Sequence, residues 1–167
     1  MSRDIQAILK EHNLGIKLDI GCGANKQAGF VGIDLRDLLS VDIVHDVESY
    51  PWPLPDECVS FAVASHLVEH INPAKGIFLG FMNEVWRVMK VGGQFMIALP
   101  YAGSFGYWQD PTHCNGCNEA TWAYFDPEHA SGLYNIYTPK PWKINQNVWQ
   151  INGNMEVVLE KRREAKV

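Results

Sequence analysis

The sequence lacks any apolar stretch of membrane-spanning length and any stripe of basic residues. A transmembrane helix needs about 20 consecutive apolar residues, and no run here approaches that length. A nucleic-acid groove needs clustered cations that displace counterions from phosphates. This chain has a net charge of −5, and its basic residues are scattered until Lys161-Arg162-Arg163, which we expect to be a solvated end. These absences argue against a membrane segment and against nucleic acid as a partner.

Cysteine is also scarce, with four residues in a chain of 167. Disulfide-stabilised secreted domains carry a denser cysteine pattern in a shorter chain. The segment from Met1 to Asn13 places Ile5, Ile8 and Leu9 at helical spacing among charges, which predicts a short amphipathic helix and not a signal peptide. We therefore expect a reducing, cytoplasmic setting.

Apolar runs predict five strands, near residues 16–20, 30–34, 42–45, 59–65 and 93–99. They alternate with helical or turn-like connections, which is typical of a parallel sheet wrapped by helices. The clearest helix is predicted from Pro73 to Lys90, with Asn72 as its cap and Gly92-Gly93 after its end. Its apolar stripe consists of Ile77, Phe78, Phe81, Val85, Val88 and Met89. With 47% hydrophobic residues, we expect residues 1–167 to form a single domain around one core.

The chain changes character after Pro100. Residues from Tyr101 to Phe125 are rich in glycine and aromatic side chains, which is typical of a lid over a binding site. Asn152-Gly153, between the runs 142–151 and 155–161, is a strong hairpin signal. The sequence therefore predicts an aromatic lid segment followed by a C-terminal antiparallel hairpin.

The most informative motif is Leu18-Asp19-Ile20-Gly21-Cys22-Gly23, followed by Val31-Gly32-Ile33-Asp34. Gly21 and Gly23 follow a short buried strand and let the backbone pass close to a ligand. Asp34 comes at the end of the next predicted strand, where a carboxylate can accept hydrogen bonds from both ribose hydroxyls. A dinucleotide would normally need a further glycine where Lys26 stands, so nicotinamide chemistry is disfavoured. The alternative is that these are simple turn residues.

Further motifs follow in order: Asp46-Val47, the run 51–56, the run 64–70, and the run 84–93. Together with the glycine turn, they resemble the class I S-adenosylmethionine-dependent methyltransferases, in particular the compact methyltransferase type 11 group, over Lys17 to Pro100 and more weakly to Asp126. Two departures stand out. Asn25 occupies the family's third glycine position, and Ala24 to Gly29 is too short for a crossover helix.

The resemblance implies an α/β fold with a Rossmann-like, mainly parallel sheet and one antiparallel strand near its edge. It also implies S-adenosylmethionine as the cofactor, held by residues at the ends of the strands. Asp46 or its adjacent backbone would contact adenine, although a solvated loop acid would look the same in sequence. The implied cofactor-binding residues are Asp19, Gly21, Cys22, Gly23, Asp34, Leu35, Asp46, Val47, Ser65 and His66.

Residues 66–70, with histidines at both ends and Glu69 between them, match the H-x-x-E-H pattern of certain zinc peptidases. Two histidines four apart on a helix share one face and can ligate zinc. His66, however, directly follows a strand-like run, and no downstream carboxylate ligand is identifiable. We predict no catalytic zinc here, and the resemblance implies that Glu69 and His70 only position a helix.

A second possible metal pattern is Cys114-Asn115-Gly116-Cys117, flanked by His113 and His129. A single C-x-x-C is half of a zinc site, and the strong signature needs a second pair. Two reduced cysteines in a turn explain the pattern equally simply. The sequence therefore predicts no metal site.

Asp110-Pro111-Thr112-His113 is the best candidate for acceptor chemistry, because related short methyltransferases show a similar stretch after the fifth strand. His113 could take a proton from an acceptor, with Asp110 orienting its ring. It could equally serve only to hold the loop by hydrogen bonds. We expect methyl transfer to a small molecule, a sugar derivative or a protein side chain. The alternative is a noncatalytic domain of the same fold that binds the cofactor or a partner.

Overall fold

The computed structural model describes residues 3–12 and 15–164, which contain seven strands in one sheet. The strands are β1 (Ile16–Ile20), β2 (Val31–Asp34), β3 (Ile43–Val44), β4 (Val59–Ser65), β5 (Met89–Pro100), β6 (Trp142–Trp149) and β7 (Asn154–Lys161). The α-helices are α1 (Ile5–Glu11), α2 (Ile77–Val88), α3 (Phe105–Trp108) and α4 (Tyr134–Tyr137). Three 3₁₀ helices span Val68–His70, Ala74–Gly76 and Glu119–Tyr124.

The strand order is β3-β2-β1-β4-β5-β7-β6. Strands β1 to β5 pair in parallel, and β7 runs antiparallel to both of its neighbours. The mainly parallel α/β sheet and the C-terminal hairpin predicted from the sequence are therefore confirmed. The carboxyl ends of β1 to β5 point to one edge, where open α/β sheets bind their ligands.

The helix predicted over residues 73–90 is shorter in the structure. Lys75 (φ 55°) and Gly76 (φ 76°) adopt left-handed backbone, which interrupts the helix, so α2 begins only at Ile77. The side chain of Asn72 accepts the N–H of Ala74, at the start of the 3₁₀ helix Ala74–Gly76, and so does not cap α2 as predicted. At the other end, Met89 already has extended backbone and starts β5.

The two faces of the sheet are covered unequally. Phe95 is fully buried beneath α2, with its ring 6.4 Å from that of Phe81. Met96, on the opposite face of the same strand, is 43% exposed. In the described chain, residues 21–30 and 35–42, which connect β1 to β2 and β2 to β3, contain no helix. The absence of a crossover helix after the glycine turn agrees with the short spacing in the sequence, and β2 is nevertheless buried along its whole length.

The aromatic segment after β5 divides into two parts. Trp122 and Phe125 are buried in the core, and Phe125 packs edge-on against Phe78 at 5.7 Å. These residues therefore do not belong to a lid, because their burial stabilises the domain itself. Phe105 and Trp108 of α3 are 82% and 76% exposed. Only this first part has the exposed aromatic surface that a lid requires.

Both ends of the described part of the chain pack against the domain. The predicted amphipathic helix is present as α1, which buries Ile8 and begins after Asp4, whose side chain caps it; residues 1, 2 and 13 of the predicted segment lie outside the described residues. The expectation of a solvated basic end is wrong for Lys161, which is 2% exposed. Its ammonium donates to the Met89 carbonyl (2.7 Å) and lies 3.9 Å from the centre of the Trp86 ring.

None of the helices that the structure describes is long and apolar enough to cross a membrane.

Candidate functional site

Asp34 stands at the carboxyl end of β2, and its carboxylate closes the glycine turn that follows β1. One oxygen accepts the N–H of Gly23 (2.8 Å), and the other accepts the backbone N–H (2.9 Å) and Nε (3.2 Å) of Arg36. Burial alone would raise the pKa of Asp34, but these hydrogen bonds outweigh it and hold the pKa below its usual value. The carboxylate is therefore ionised and already engaged by its own chain.

The glycine turn approaches two side chains closely. Gly21 and Gly23 have φ values of 69° and 55°, which favour glycine. A Cβ atom at Gly21 would lie 2.8 Å from Leu67 Cδ1, and one at Gly23 would lie 2.9 Å from Arg36 Nη2. The guanidinium of Arg36 therefore lies over the turn where a cofactor backbone contact is expected. Its side chain is 65% exposed and can move into solvent. No local sequence signal points to Arg36, because sequence spacing does not show where so long a side chain lies.

A small cavity of about 270 Å³ lies at the ends of β1 and β4. Its lining consists of Asp19, Gly21, Cys22, Asn25, Gln27 and Ser65. Asp19 accepts the N–H of Gln27 (2.8 Å), yet burial raises the pKa of its carboxyl group above the usual value. Burial also raises the pKa of the Cys22 thiol to about 11, so this thiol stays neutral near pH 7. Four predicted cofactor residues thus share one cavity.

The predicted adenine contact, Asp46 or its adjacent backbone, lies after β3, and Leu35, a further predicted cofactor residue, lies after β2. Leu35 is 68% exposed, and an apolar side chain this open at a strand end offers a surface on which a flat ring can pack. Asp46 is also exposed and accepts the Glu48 N–H and the Ser49 hydroxyl. Val47 is buried, so only its backbone can reach a ligand, and its carbonyl already accepts from Trp52 Nε1 (3.1 Å).

A larger cavity, of about 520 Å³, lies at the ends of β4 and β5. It is lined by His66, Glu69, His70, Pro100, Gly106, Gln109, Asp110, His113, Asn152, Gly153 and Asn154. Gly106 of α3 lines this cavity, whereas Phe105 and Trp108, the exposed aromatic residues of the same helix, are not among its lining residues. Among the predicted cofactor residues, His66 lines this cavity and not the small one. The two candidate catalytic residues, Asp110 and His113, lie here together.

His66 and His70 do not present the peptidase arrangement. His66 has a left-handed φ of 53°, and the turn that follows is a single 3₁₀ helix, Val68–His70. The two rings therefore do not share a face of an α-helix. His66 Nδ1 instead lies 3.1 Å from Glu69 Oε1. Glu69 is fully buried, and its Oε2 has no hydrogen-bond partner among the described residues.

Asp110 does not orient His113 as the sequence suggests. Its Oδ2 lies 3.9 Å from His113 Nε2, too far for a hydrogen bond. The backbone carbonyl of Tyr107 holds the ring instead, 2.7 Å from Nδ1. Asp110 accepts from the N–H (2.8 Å) and hydroxyl (2.7 Å) of Thr112, and these bonds hold the pKa of Asp110 below its usual value. The physical reason is local, since a proline after Asp110 favours an Asp-capped turn.

The cysteines of the C-x-x-C pattern face different environments. Cys114 is exposed and its thiol lies 3.4 Å from the His70 carbonyl. Cys117 is buried, which raises the pKa of its thiol to about 12. Among residues 3–12 and 15–164, one group of three residues could hold a metal ion. It consists of Glu69, His70 and His113, whose ligand atoms lie within 4.8 Å of one another. Neither cysteine belongs to it.

Solved structures resemble this chain in fold. A methyltransferase dependent on S-adenosylmethionine (SAM) from Archaeoglobus fulgidus is 16% identical, with 95% of each chain covered and a TM-score of 0.62. One from Clostridium acetobutylicum is 10% identical, with 95% of this chain and 89% of that chain covered and a TM-score of 0.63. A Haloferax volcanii putative methyltransferase, solved in complex with the Trm112 methyltransferase activator, is 11% identical, with 95% and 88% covered and a TM-score of 0.60.

No family model and no curated protein matches the sequence. At identities as low as those of the solved structures, the likeness shows the fold alone. The chain has the class I SAM-dependent methyltransferase fold that its motifs predicted.

Proposed function

We propose that this protein transfers a methyl group from SAM to an acceptor bound in the larger cavity. The observation that carries the proposal is the placement of the glycine turn, Asp34 and this cavity along one edge of a class I fold. Ligands of open α/β sheets bind at that edge. The chemistry of the cavity therefore determines which class of acceptor fits.

The residues at the ends of β1 to β4 suit the cofactor. Gly21 and Gly23 allow close backbone approach, and Asp34 can accept the two ribose hydroxyls once Arg36 turns away. Leu35, Asp46 and the Val47 backbone would contact adenine. Asp19, Cys22 and Ser65 would surround the amino-acid portion in the small cavity, and His66, which lines the larger cavity, would lie next to Ser65 in the chain. When bound, the cofactor supplies an electrophilic methyl group on sulfur.

The chain's own contribution on the acceptor side is to align the acceptor, exclude water and remove a proton where the acceptor carries one. His113 is held by the Tyr107 carbonyl through Nδ1, which leaves the Nε2 lone pair as its proton-accepting atom. In the simplest case, Nε2 of His113 takes the proton of the acceptor directly, and the negatively charged Asp110 carboxylate lies nearby. Phe105 and Trp108 of α3 lie outside the lining of this cavity, so they would contact only an acceptor that extends beyond it.

A small molecule, a sugar derivative or a protein side chain suits this site better than nucleic acid. The chain has a net charge of −5, and the larger cavity is bordered by the carboxylates of Glu69 and Asp110. Negative potential near the acceptor opposes a phosphate backbone. Basic or neutral acceptors experience no such repulsion.

The test has two measurements on the full chain. Calorimetric titration with S-adenosylhomocysteine should show one site, and incubation with SAM and pooled small metabolites or peptides should form S-adenosylhomocysteine. Binding without turnover against every pool would favour the noncatalytic alternative. Absence of any binding to the folded protein would contradict the cofactor proposal altogether.

A further inference from the structure

Three potential metal ligands converge at the wall of the larger cavity. Glu69, His70 and His113 each direct one ligand atom into a group in which all atoms lie within 4.8 Å. The rings of the two histidines lie edge to face, with centroids 4.7 Å apart. Zinc ligands at about 2.0–2.2 Å from the ion lie roughly 3.4 Å from one another, so side-chain shifts of about 1 Å would complete the site.

The hydrogen bonds around His70 determine which nitrogen is free. The Thr112 hydroxyl has one hydrogen, which it donates to the Asp110 carboxylate (2.7 Å). Toward His70 Nδ1, 3.1 Å away, the same hydroxyl can only accept. Nδ1 of His70 therefore carries its hydrogen, and Nε2 of the neutral ring keeps its lone pair.

His113 has the same tautomer for a similar reason. Its Nδ1 lies 2.7 Å from the Tyr107 carbonyl oxygen, which can only accept a hydrogen bond. Nδ1 is therefore the donor, and Nε2 has the lone pair. Histidines that bind metals usually donate their other ring nitrogen to a carbonyl or carboxylate in this way, because that bond fixes both the tautomer and the ring direction.

Glu69 provides an independent observation, because its carboxylate is buried and one of its oxygens has no hydrogen-bond partner among the described residues. The side chain is 0% exposed, His66 engages Oε1, and Oε2 has no partner among the residues described. A buried carboxylate with one unsatisfied oxygen is costly unless a cation or donor reaches it. The backbone holds the residue firmly, since the Glu69 carbonyl accepts the N–H groups of Cys114 and Asn115 (2.9 and 3.0 Å).

From this geometry we infer that Glu69, His70 and His113 bind a divalent transition-metal ion, with zinc as the best match. Two imidazoles and one carboxylate are a catalytic zinc donor set, which leaves a position open to the cavity. The inference replaces the sequence-based expectation of no metal. That expectation considered His66 and His70 on one helix, whereas the structure offers His113 as the second histidine and uses His66 to hold Glu69.

The ion also defines the chemistry of a ligand in this cavity. An open zinc position favours an oxygen ligand, so the acceptor class would be one with a hydroxyl or carboxylate near the methylated atom. This use of the ion rests on the proposed function, although the ion site itself does not. With the ion bound, His113 uses its Nε2 lone pair on the metal, and the proton of a hydroxyl acceptor passes to water.

The test is metal binding by chelator-treated full-length protein. Calorimetry with zinc chloride should show one site at micromolar ion, and cobalt chloride should give the visible absorption of a coordinated ion. Glu69→Gln, His70→Asn and His113→Asn should each weaken binding by about tenfold or more. His129→Asn and Cys114→Ser are matched controls outside the group and should bind as the wild type does.

Two results would overturn the inference. One is a folded wild type that takes up no stoichiometric zinc, and the other is zinc binding that survives in both His70→Asn and His113→Asn or disappears in Cys114→Ser. The exposed His70 variant keeps the test valid if Glu69→Gln fails to fold, which circular dichroism would reveal. Titration of the metal-free protein with S-adenosylhomocysteine tests the cofactor proposal separately, because the residues proposed to bind the cofactor are not metal ligands.

Discussion

The carboxylates at the two ends of the candidate site differ in how far their own chain satisfies them. At the cofactor end, both oxygens of Asp34 have donors, from Gly23 and Arg36. At the acceptor end, Glu69 is more deeply buried, yet one oxygen has no partner in the described part of the chain. The burial of a carboxylate therefore does not by itself predict whether both of its oxygens have hydrogen-bond donors.

The difference indicates two modes of ligand binding. The ribose hydroxyls of a cofactor at Asp34 must replace hydrogen-bond donors that the chain already provides. Cofactor affinity therefore depends on how readily the Arg36 side chain moves away. A ligand at the Glu69 group displaces nothing of the chain, because the lone pairs there are unused. The first region is preorganised by hydrogen bonds, and the second is preorganised to receive a positive charge.

The largest expected effect is at the acceptor end. His113→Ala should lower turnover by about a hundredfold or more, because the Nε2 lone pair is lost whether it accepts a proton or binds an ion. Affinity for S-adenosylhomocysteine should hardly change, since the proposed cofactor contacts lie at other strand ends. Steady-state kinetics and calorimetry measure the two quantities, with His129→Ala as the control. Full activity in His113→Ala would remove this residue from the acceptor chemistry.

The next effect is at the cofactor end. Asp34→Ala should weaken S-adenosylhomocysteine binding by about tenfold or more, because two hydrogen bonds to a carboxylate disappear. Calorimetry provides the measurement, and circular dichroism checks that the loss of the Gly23 contact has not unfolded the turn. Unchanged affinity in a folded variant would show that Asp34 serves only to close the turn.

A smaller effect of opposite sign should follow the removal of Arg36. Arg36→Ala frees one oxygen of Asp34 and clears the space over Gly23, so cofactor affinity should rise. The increase should be about two- to fivefold, in keeping with the modest strength of an exposed ion pair. Arg163→Ala, at an exposed position near the C-terminus, is the matched control in the same titration. A decrease would mean that Arg36 contacts the ligand directly.

The smallest expected effect is a pH dependence of folding stability, which has opposite signs for Asp34 and Asp19. The pKa of Asp34 is lowered in the folded state, so its stabilisation exists above the unfolded pKa and is lost as pH falls through the folded value. The pKa of Asp19 is raised, so its contribution is greatest at low pH and is lost as pH rises through the folded value.

Urea unfolding of Asp34→Asn and Asp19→Asn at about pH 6 and about pH 3 tests this contrast. Asp34→Asn should cost more stability at the higher pH. Asp19→Asn should cost less at the higher pH than at the lower one. Parallel pH responses of the two variants would contradict the assigned directions.

Local signals in the sequence predicted much of the fold. The bounds of β1 and β4 agree with the structure, because each is an apolar run ended by a change in side-chain character. The helix before β5 was predicted too long, since no local signal showed that Lys75 adopts left-handed backbone. Trp122 was placed in a lid because an aromatic residue in a loop looks the same in sequence whether it covers a ligand or fills the core.

The candidate site likewise has one part that local sequence signals predicted and one part that they did not. Asp19, Gly21, Gly23 and Asp34 follow strand ends at short spacing, and chain connectivity alone brings such residues to one edge of a parallel sheet. The sequence by itself therefore determined which residues meet at the proposed cofactor end. Only the tertiary structure brought His113 to Glu69 and His70, because the Asp110 to His113 loop folds back on the turn after β4, and Thr112 meets His70 across 42 residues of chain. Sequence patterns record neighbours along the chain, whereas a long-range group of ligands depends on loop packing that no local pattern encodes.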